Sequence, residues 1–291
     1  APSAASLVGQ ESAAHEAGAV ETDAEAAAEA TREMALTKAK NSYLTWHTNT
    51  GHTFALGTYQ KMVRDNKLPR ALAPAVRTAV GMLTAGDAKC SACQTAGLTK
   101  RQPSKRPSKK GKGTWTLDIC TNMPPAQNGE TIFSVVTAPN GKGVYTNIMK
   151  NKSEDEFLGL FTQELDYWEK QTGEPMLELR MDRESAMQGR LLQAHLKERG
   201  VRSRVTTGRS CGAAEAHIRW LQERTLACLM ESEQPKHLWP HALEYVGYWS
   251  DRSPGRDGQS RYERRTGAQP NLRGAVAFGT KILAHKADVR K

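Results

Sequence analysis

Two histidines and two cysteines place the strongest constraint on this chain. His47 and His52 enclose four residues, Cys90 and Cys93 enclose two, and 37 residues separate the pairs. Two imidazoles and two thiolates form a tetrahedral zinc set, so the fold must bring all four together. The interval has apolar residues at helical spacing: Phe54, Leu56, Tyr59, Met62 and Val63, then Leu72, Val76, Val80 and Leu83 within 71–84. A small helical zinc-binding domain over 40–100 is therefore expected. Its core is thin, and Zn2+ contributes ~10–16 kcal/mol to small sites of this kind. A redox role for the Cys90/Cys93 pair is the competing reading.

Charge divides the rest of the chain. Lys plus Arg number 41 and Asp plus Glu 31, giving +10 over 291 residues. Residues 1–36 nevertheless carry −6 and many alanines, with almost no large apolar side chains, so 1–39 is expected to be a disordered acidic lead-in that holds at most a frayed helix at 22–38. Lys100, Arg101, Lys105, Arg106, Lys109, Lys110 and Lys112 follow one another without an acid, and Pro103 and Pro107 interrupt them. Residues 101–113 thus read as a basic linker, either a solvated spacer or a segment that tracks phosphates. The basic balance points to nucleic acid as partner. The longest apolar run falls short of the 18 or more residues of a membrane span, and the first residues lack the basic-then-apolar pattern of a secretory leader. Five cysteines are too few for a disulfide scaffold. A first residue of Ala suggests a piece of a longer product.

Residues 114–250 read as a second domain. Trp115–Cys120, 131–137 and 144–149 form strands rich in β-branched and aromatic residues, joined in part by the turn Asn140-Gly141. Ser153 caps a helix, with Glu156 at the capping-box position and Phe157, Leu158, Phe161, Leu165 and Trp168 on its apolar face. A strand over 176–181, a helix through Leu191 to Leu196, a short strand over 201–205 and a long helix from Ala213 follow. This order gives a mixed sheet with helices on its faces. Asp118 stands inside an apolar strand, where an unpaired carboxylate is costly. His217 is read as a surface or DNA-facing residue. Arg219 lies one turn beyond Glu215, within reach of it or of a phosphate. Trp239, Tyr245, Tyr248 and Trp249 are assigned to helix packing. The net +6 of 251–291 is read as a basic extension that contacts DNA or leads to further domains.

The order of these motifs resembles retroviral-type integrases, most closely those of copia-class long-terminal-repeat retrotransposons. Trp46-His47, Gly51-His52 and Cys90/Cys93 resemble the family's zinc signature. Asp118, Asp182 and Glu215 fall at its acidic triad, with Gly212 to Glu215 and Arg219 resembling the start of its catalytic helix. His237 to Pro240, Arg252-Ser253-Pro254, Glu263, Thr266-Gly267, Pro270-Asn271-Leu272 and Phe278-Gly279 continue the likeness. The resemblance implies an α/β, RNase H-like mixed five-stranded sheet with flanking helices. It implies zinc at His47, His52, Cys90 and Cys93, and two Mg2+ (or Mn2+) ions at Asp118, Asp182 and Glu215. The implied activity is two-metal phosphoryl transfer on DNA: 3′-end processing and strand transfer. DNA contacts at Lys100, Arg101, Lys105, Arg106, Lys109, Lys110 and Arg219 would follow. So would a homo-oligomer, other polyprotein segments as partners, and an intracellular route from cytoplasmic particle to nucleus, with no membrane partner. Departures favour an alternative, a catalytically decayed zinc-stabilised nucleic-acid-binding module. The interval between Asp182 and Glu215 is shorter than usual, Cys211 replaces the usual Asn, and Arg183-Glu184-Ser185 follows Asp182. A general RNase H-like nuclease is a third reading, which the zinc signature disfavours.

Overall fold

A computed structural model describes residues 8–68, 71–97, 111–182, 189–206, 212–255 and 257–281. The chain divides into two compact units, Ala1–Leu44 with Tyr59–Ala88, and 45–58 with 89–291. This division differs from the expected boundaries. The helices of the expected 40–100 domain belong mainly to the first unit, while His47, His52, Cys90 and Cys93 all belong to the second.

The first unit is helical. Helix α1 (Val8–Asn49) is continuous from a point where a disordered lead-in was expected. Alanine has the highest helix propensity, and neither proline nor a glycine pair interrupts the run. Residues 25–34 are solvent-exposed, so propensity rather than packing accounts for that stretch. Ala39 and Tyr43 of α1 are buried in this unit. So are Tyr59, Met62 and Val63 of α2 (Leu56–Arg64), and Ala79 and Val80 of α3 (Pro74–Met82). Gln60 donates to the carbonyls of Val80 and Leu83, both at 3.0 Å, which ties α2 to the end of α3.

The second unit begins with the last residues of α1 and the short α4 (Ser91–Thr95), then builds a five-stranded mixed sheet. Its strands are β1 (Thr114–Cys120), β2 (Ile132–Thr137), β3 (Val144–Met149), β4 (Glu178–Asp182) and β5 (Arg202–Thr206). Their order is β3-β2-β1-β4-β5; β2 pairs antiparallel with β1 and β3, and β4 pairs parallel with β1 and β5. This is the RNase H-like arrangement. The parallel pairs require crossovers, which α5 (Glu154–Thr172) and α6 (Arg190–Glu198) supply. Ser153 caps α5 as expected, accepting from the Glu156 N–H at 3.3 Å. Glu156 does not complete the capping box: its carboxylate accepts from Lys150 and Asn151 N–H, closing the loop before the helix.

Strand alternation sorts the side chains onto two faces. Trp115, Leu117, Val136, Leu179 and Met181 pack with Phe157, Phe161, Leu165, Leu192 and Leu196 on the α5/α6 face. Cys120, Phe133 and Val135 pack on the other face with Ile218 and Leu221 of α7 (Gly212–Glu231) and Trp239, Leu243 and Val246 of α8 (Trp239–Arg252). Trp239 and Trp249 are buried as expected, whereas Tyr248 is exposed, with the Arg252 guanidinium 3.5 Å from its ring centre.

The segment after α8 folds back instead of extending away. A capping box between Ser260 and Glu263 starts α9 (Arg261–Thr266), and Gly267 ends it at φ 72°. Its arginines engage internal partners. Arg265 forms a two-pronged ion pair with Asp251 at 2.6 and 2.8 Å, with only 8% of its side chain exposed. Arg264 pairs with Asp257, and Arg261 donates to the Ser250 carbonyl and to His217 Nε2. Three of the cations counted in the net +6 of 251–291 thus have partners within the chain. His217 is also not the surface residue that helix geometry suggested: Nδ1 donates to the Ala213 carbonyl at 2.7 Å while Nε2 accepts from Arg261. No described helix is long and apolar enough to cross a membrane.

Candidate active site and metal centre

Among the described residues one compact cluster of metal-type ligands forms, the His/Cys set of the second unit, and three carboxylates stand more loosely on one face of its sheet. The placement of the carboxylates comes from sheet alternation. Leu117 and Met181 are paired neighbours on β1 and β4, and both face α5 and α6. The next residues, Asp118 and Asp182, therefore face α7, side by side on adjacent strands. Glu215 is in the first turn of α7, which packs on that same face. Three carboxylates far apart in sequence thus share one side of the sheet.

Electrostatics registers the gathering. The Asp118 carboxyl is raised above the usual aspartate range, first by burial and then by the negative charges of Asp182 and Glu215; a bond from the Ile119 N–H, at 2.9 Å, opposes this. Like charges brought near one another favour either a proton or a divalent cation. Hard cations prefer oxygen ligands, and the three residues supply only oxygen. Glu215 is 59% exposed and lies 3.7 Å from Arg219, itself 70% exposed, so the expected pairing one turn apart is present at a solvent-open mouth. The other nucleic-acid residues expected from the sequence, Lys100 to Lys110, lie outside the described residues. So do Arg183 to Ser185 and Cys211.

The His/Cys cluster comes from a helix end. Helix α1 closes with the Gly51 N–H bonded to the Thr48 carbonyl (3.1 Å) and the His52 N–H to the His47 carbonyl (2.8 Å), with Gly51 and His52 at φ 61° and 57°. This is a Schellman closure, in which the residue five positions back is brought against the one that follows the glycine. It converts the four-residue spacing of His47 and His52 into two rings whose centres are 4.9 Å apart. Cys90 caps α4, and Cys93 is the third residue of that helix. The four ligand atoms lie within 4.8 Å of one another. His47 Nε2 is 3.0 Å from Cys93 Sγ, and His52 Nδ1 is 3.3 Å from Cys93 Sγ and 3.6 Å from Cys90 Sγ. Tetrahedral zinc bonds imply ligand separations of roughly 3.3–3.8 Å, which the two His52 distances meet, and the cage has the dimensions for a single ion after small side-chain shifts.

His47 Nδ1 donates to the Phe54 carbonyl at 2.8 Å, which fixes the tautomer and turns the Nε2 lone pair inward. The hydrogen bond from Cys93 pulls the Cys90 thiol down, and the same bond together with burial pushes Cys93 up. The Arg224 guanidinium acts against that rise and donates through Nε to the His52 carbonyl at 3.1 Å. The sequence does not single out Arg224, because nothing in its spacing reveals a partner 172 residues away.

Fold and clusters together define an RNase H-like domain with an acidic face and an adjoining two-histidine, two-cysteine cage. No protein-family model matches the sequence, and no curated protein matches it. Among solved structures, the chain is similar to the catalytic core domain of HTLV-2 integrase in complex with magnesium in a trimeric form. That match has 13% identity and a TM-score of 0.43, covering 53% of this chain and 96% of that one. It is also similar to the catalytic core domain of BIV integrase, with 18% identity and a TM-score of 0.40, covering 54% of this chain and 95% of that one.

Proposed function

We propose that this chain is an integrase-type polynucleotidyl transferase of a copia-class retroelement, with Asp118, Asp182 and Glu215 as metal ligands. The observation that carries the reading is the placement of those three carboxylates on one face of the sheet, near enough that Asp182 and Glu215 raise the Asp118 carboxyl. The trio would hold two Mg2+ or Mn2+ ions, whose chemistry is to neutralise charge on a transferring phosphoryl group and to acidify an attacking hydroxyl or water. Asp118 and Asp182, on neighbouring strands, form a rigid floor, and Glu215 closes the site from the helix. Arg219, beside Glu215 and largely exposed, is placed to meet a phosphate of incoming DNA. The chain's contribution is positioning and charge compensation.

His47, His52, Cys90 and Cys93 would hold Zn2+, for which their separations and the second-sphere bond at His47 are suited. DNA ends and target DNA are the proposed substrates, and the basic run from Lys100 to Lys110 is a proposed phosphate contact. A homo-oligomer, further polyprotein segments and passage from a cytoplasmic particle to the nucleus complete the reading.

The test is incubation with oligonucleotides bearing element ends in Mg2+ or Mn2+. End trimming or joined products are expected, and their loss in Asp118→Asn. Products that persist unchanged in that variant would remove the assignment. A second reading, DNA binding without chemistry, is favoured by the shortened interval of 32 residues between Asp182 and Glu215. It predicts salt-sensitive binding with no metal-dependent cleavage.

A further inference from the structure

The metal cage and the acidic face are linked through one helix. Arg224 lies nine residues beyond Glu215 on α7, about 13 Å along the axis at the usual helical rise. Its guanidinium rests 4.0 Å from the centre of the Trp220 ring, on the preceding turn, and its Nε donates to the His52 carbonyl. That carbonyl belongs to a metal-ligand residue held at positive φ by the helix closure. Helix α4, carrying Cys93, packs on α7 as well. Ala214, Ile218, Leu221 and Thr225 are buried between α7 and the rest of the unit, so any shift of the helix moves Glu215 with it.

We infer that Arg224 is a positioning residue that makes the two-histidine, two-cysteine cage a brace for α7, so that metal loading at one cluster fixes the helix that carries Glu215 to the other. An ion in the cage locks His52 to Cys90 and Cys93, which immobilises the carbonyl that Arg224 grips. With the cage open, that acceptor is held by the helix closure alone and the grip on α7 slackens. A guanidinium already stacked on its own helix is pre-organised, so little side-chain freedom is lost in making the bond. This inference rests on the reading of Glu215 as a metal ligand only for its catalytic meaning; the brace itself is a property of the metal cage and α7.

The test uses the full chain without DNA. Amide hydrogen exchange is followed across α7 with Zn2+ bound and after its removal, and α5 serves as an internal control. In the unaltered protein, Zn2+ should slow exchange between Glu215 and Cys228 by about tenfold, the equivalent of one charged hydrogen bond, and leave α5 unchanged. Arg224→Gln should still take Co2+ with an unchanged thiolate-to-cobalt absorption, yet show less than about threefold slowing. Trp220→Leu, which removes the ring under the guanidinium, gives a second variant judged by the same criteria should Arg224→Gln fail to fold. Equal slowing in variant and unaltered protein, or no slowing in either, overturns the brace. A chain that shows metal-dependent slowing but joins no DNA ends would keep the brace and remove the recombinase reading, so the two failures are distinguishable.

Discussion

At the residue scale, Asp118 and Arg265 show opposite uses of a buried charge. Asp118 is uncompensated, and its raised folded-state pKa means that the native chain binds a proton more tightly than the unfolded chain does. Without divalent metal, stability should therefore fall as pH rises from the ordinary aspartate range through the raised value. Asp118→Asn should raise the melting temperature of the metal-free protein at neutral pH; the gain is at most about 1 kcal/mol because the site is partly open to solvent. The same change should lower DNA joining by more than about a hundredfold. Thermal melts across pH and end-joining assays check both arms. Arg265, in contrast, is paired with Asp251, bonded to the Lys142 carbonyl and placed 4.6 Å from the Trp168 ring centre, with only its buried Nε lacking a hydrogen-bond partner. Arg265→Met leaves Asp251 buried with only its longer, 3.8 Å pairing to Arg252, and should cost about 3 kcal/mol in urea unfolding, with most of that recovered when Asp251→Asn is added.

At the element scale, the closure of α1 decides whether the metal cage exists. A Cβ at Gly51 would lie 3.1 Å from Tyr245 Cε1, on a backbone at φ 61°. Gly51→Ala should thus destabilise the unit by about 1–2 kcal/mol and weaken Zn2+ binding, read by chelator competition. The ligand spacing was legible, with four residues between His47 and His52 and two between Cys90 and Cys93. The strands were legible too, because β-branched runs flanked by turn residues repeat at a period of two. Three features were not legible. The capping box at Glu156 fits the pattern, but the loop before α5 takes the carboxylate first. Helix α1 extends to Val8 because alanine needs no core to favour a helix. His217 is engaged by Arg261, a residue 44 positions later that no periodicity connects to it.

At the scale of the whole molecule, the net charge of +10 and the basic run near residue 105 lead to a solution property. DNA affinity should fall steeply with salt, and removing the seven-cation run should flatten the slope of log affinity against log salt by roughly 0.9 for each phosphate that is no longer neutralised. Titrations at several ionic strengths, in the absence of divalent metal, measure it. The metal-type ligands and most of the strands and helices were set by local chemistry, since apolar period, turn residues and spacing act over a few positions and can be read directly; the acidic trio was singled out by the resemblance. Which carboxylates share a face, which arginines turn inward, and that the cage adjoins the helix of Glu215 were settled by packing. Those outcomes depend on pairing β1 with β4 and on hydrogen bonds between residues as many as 172 positions apart, where chain order carries no distance information.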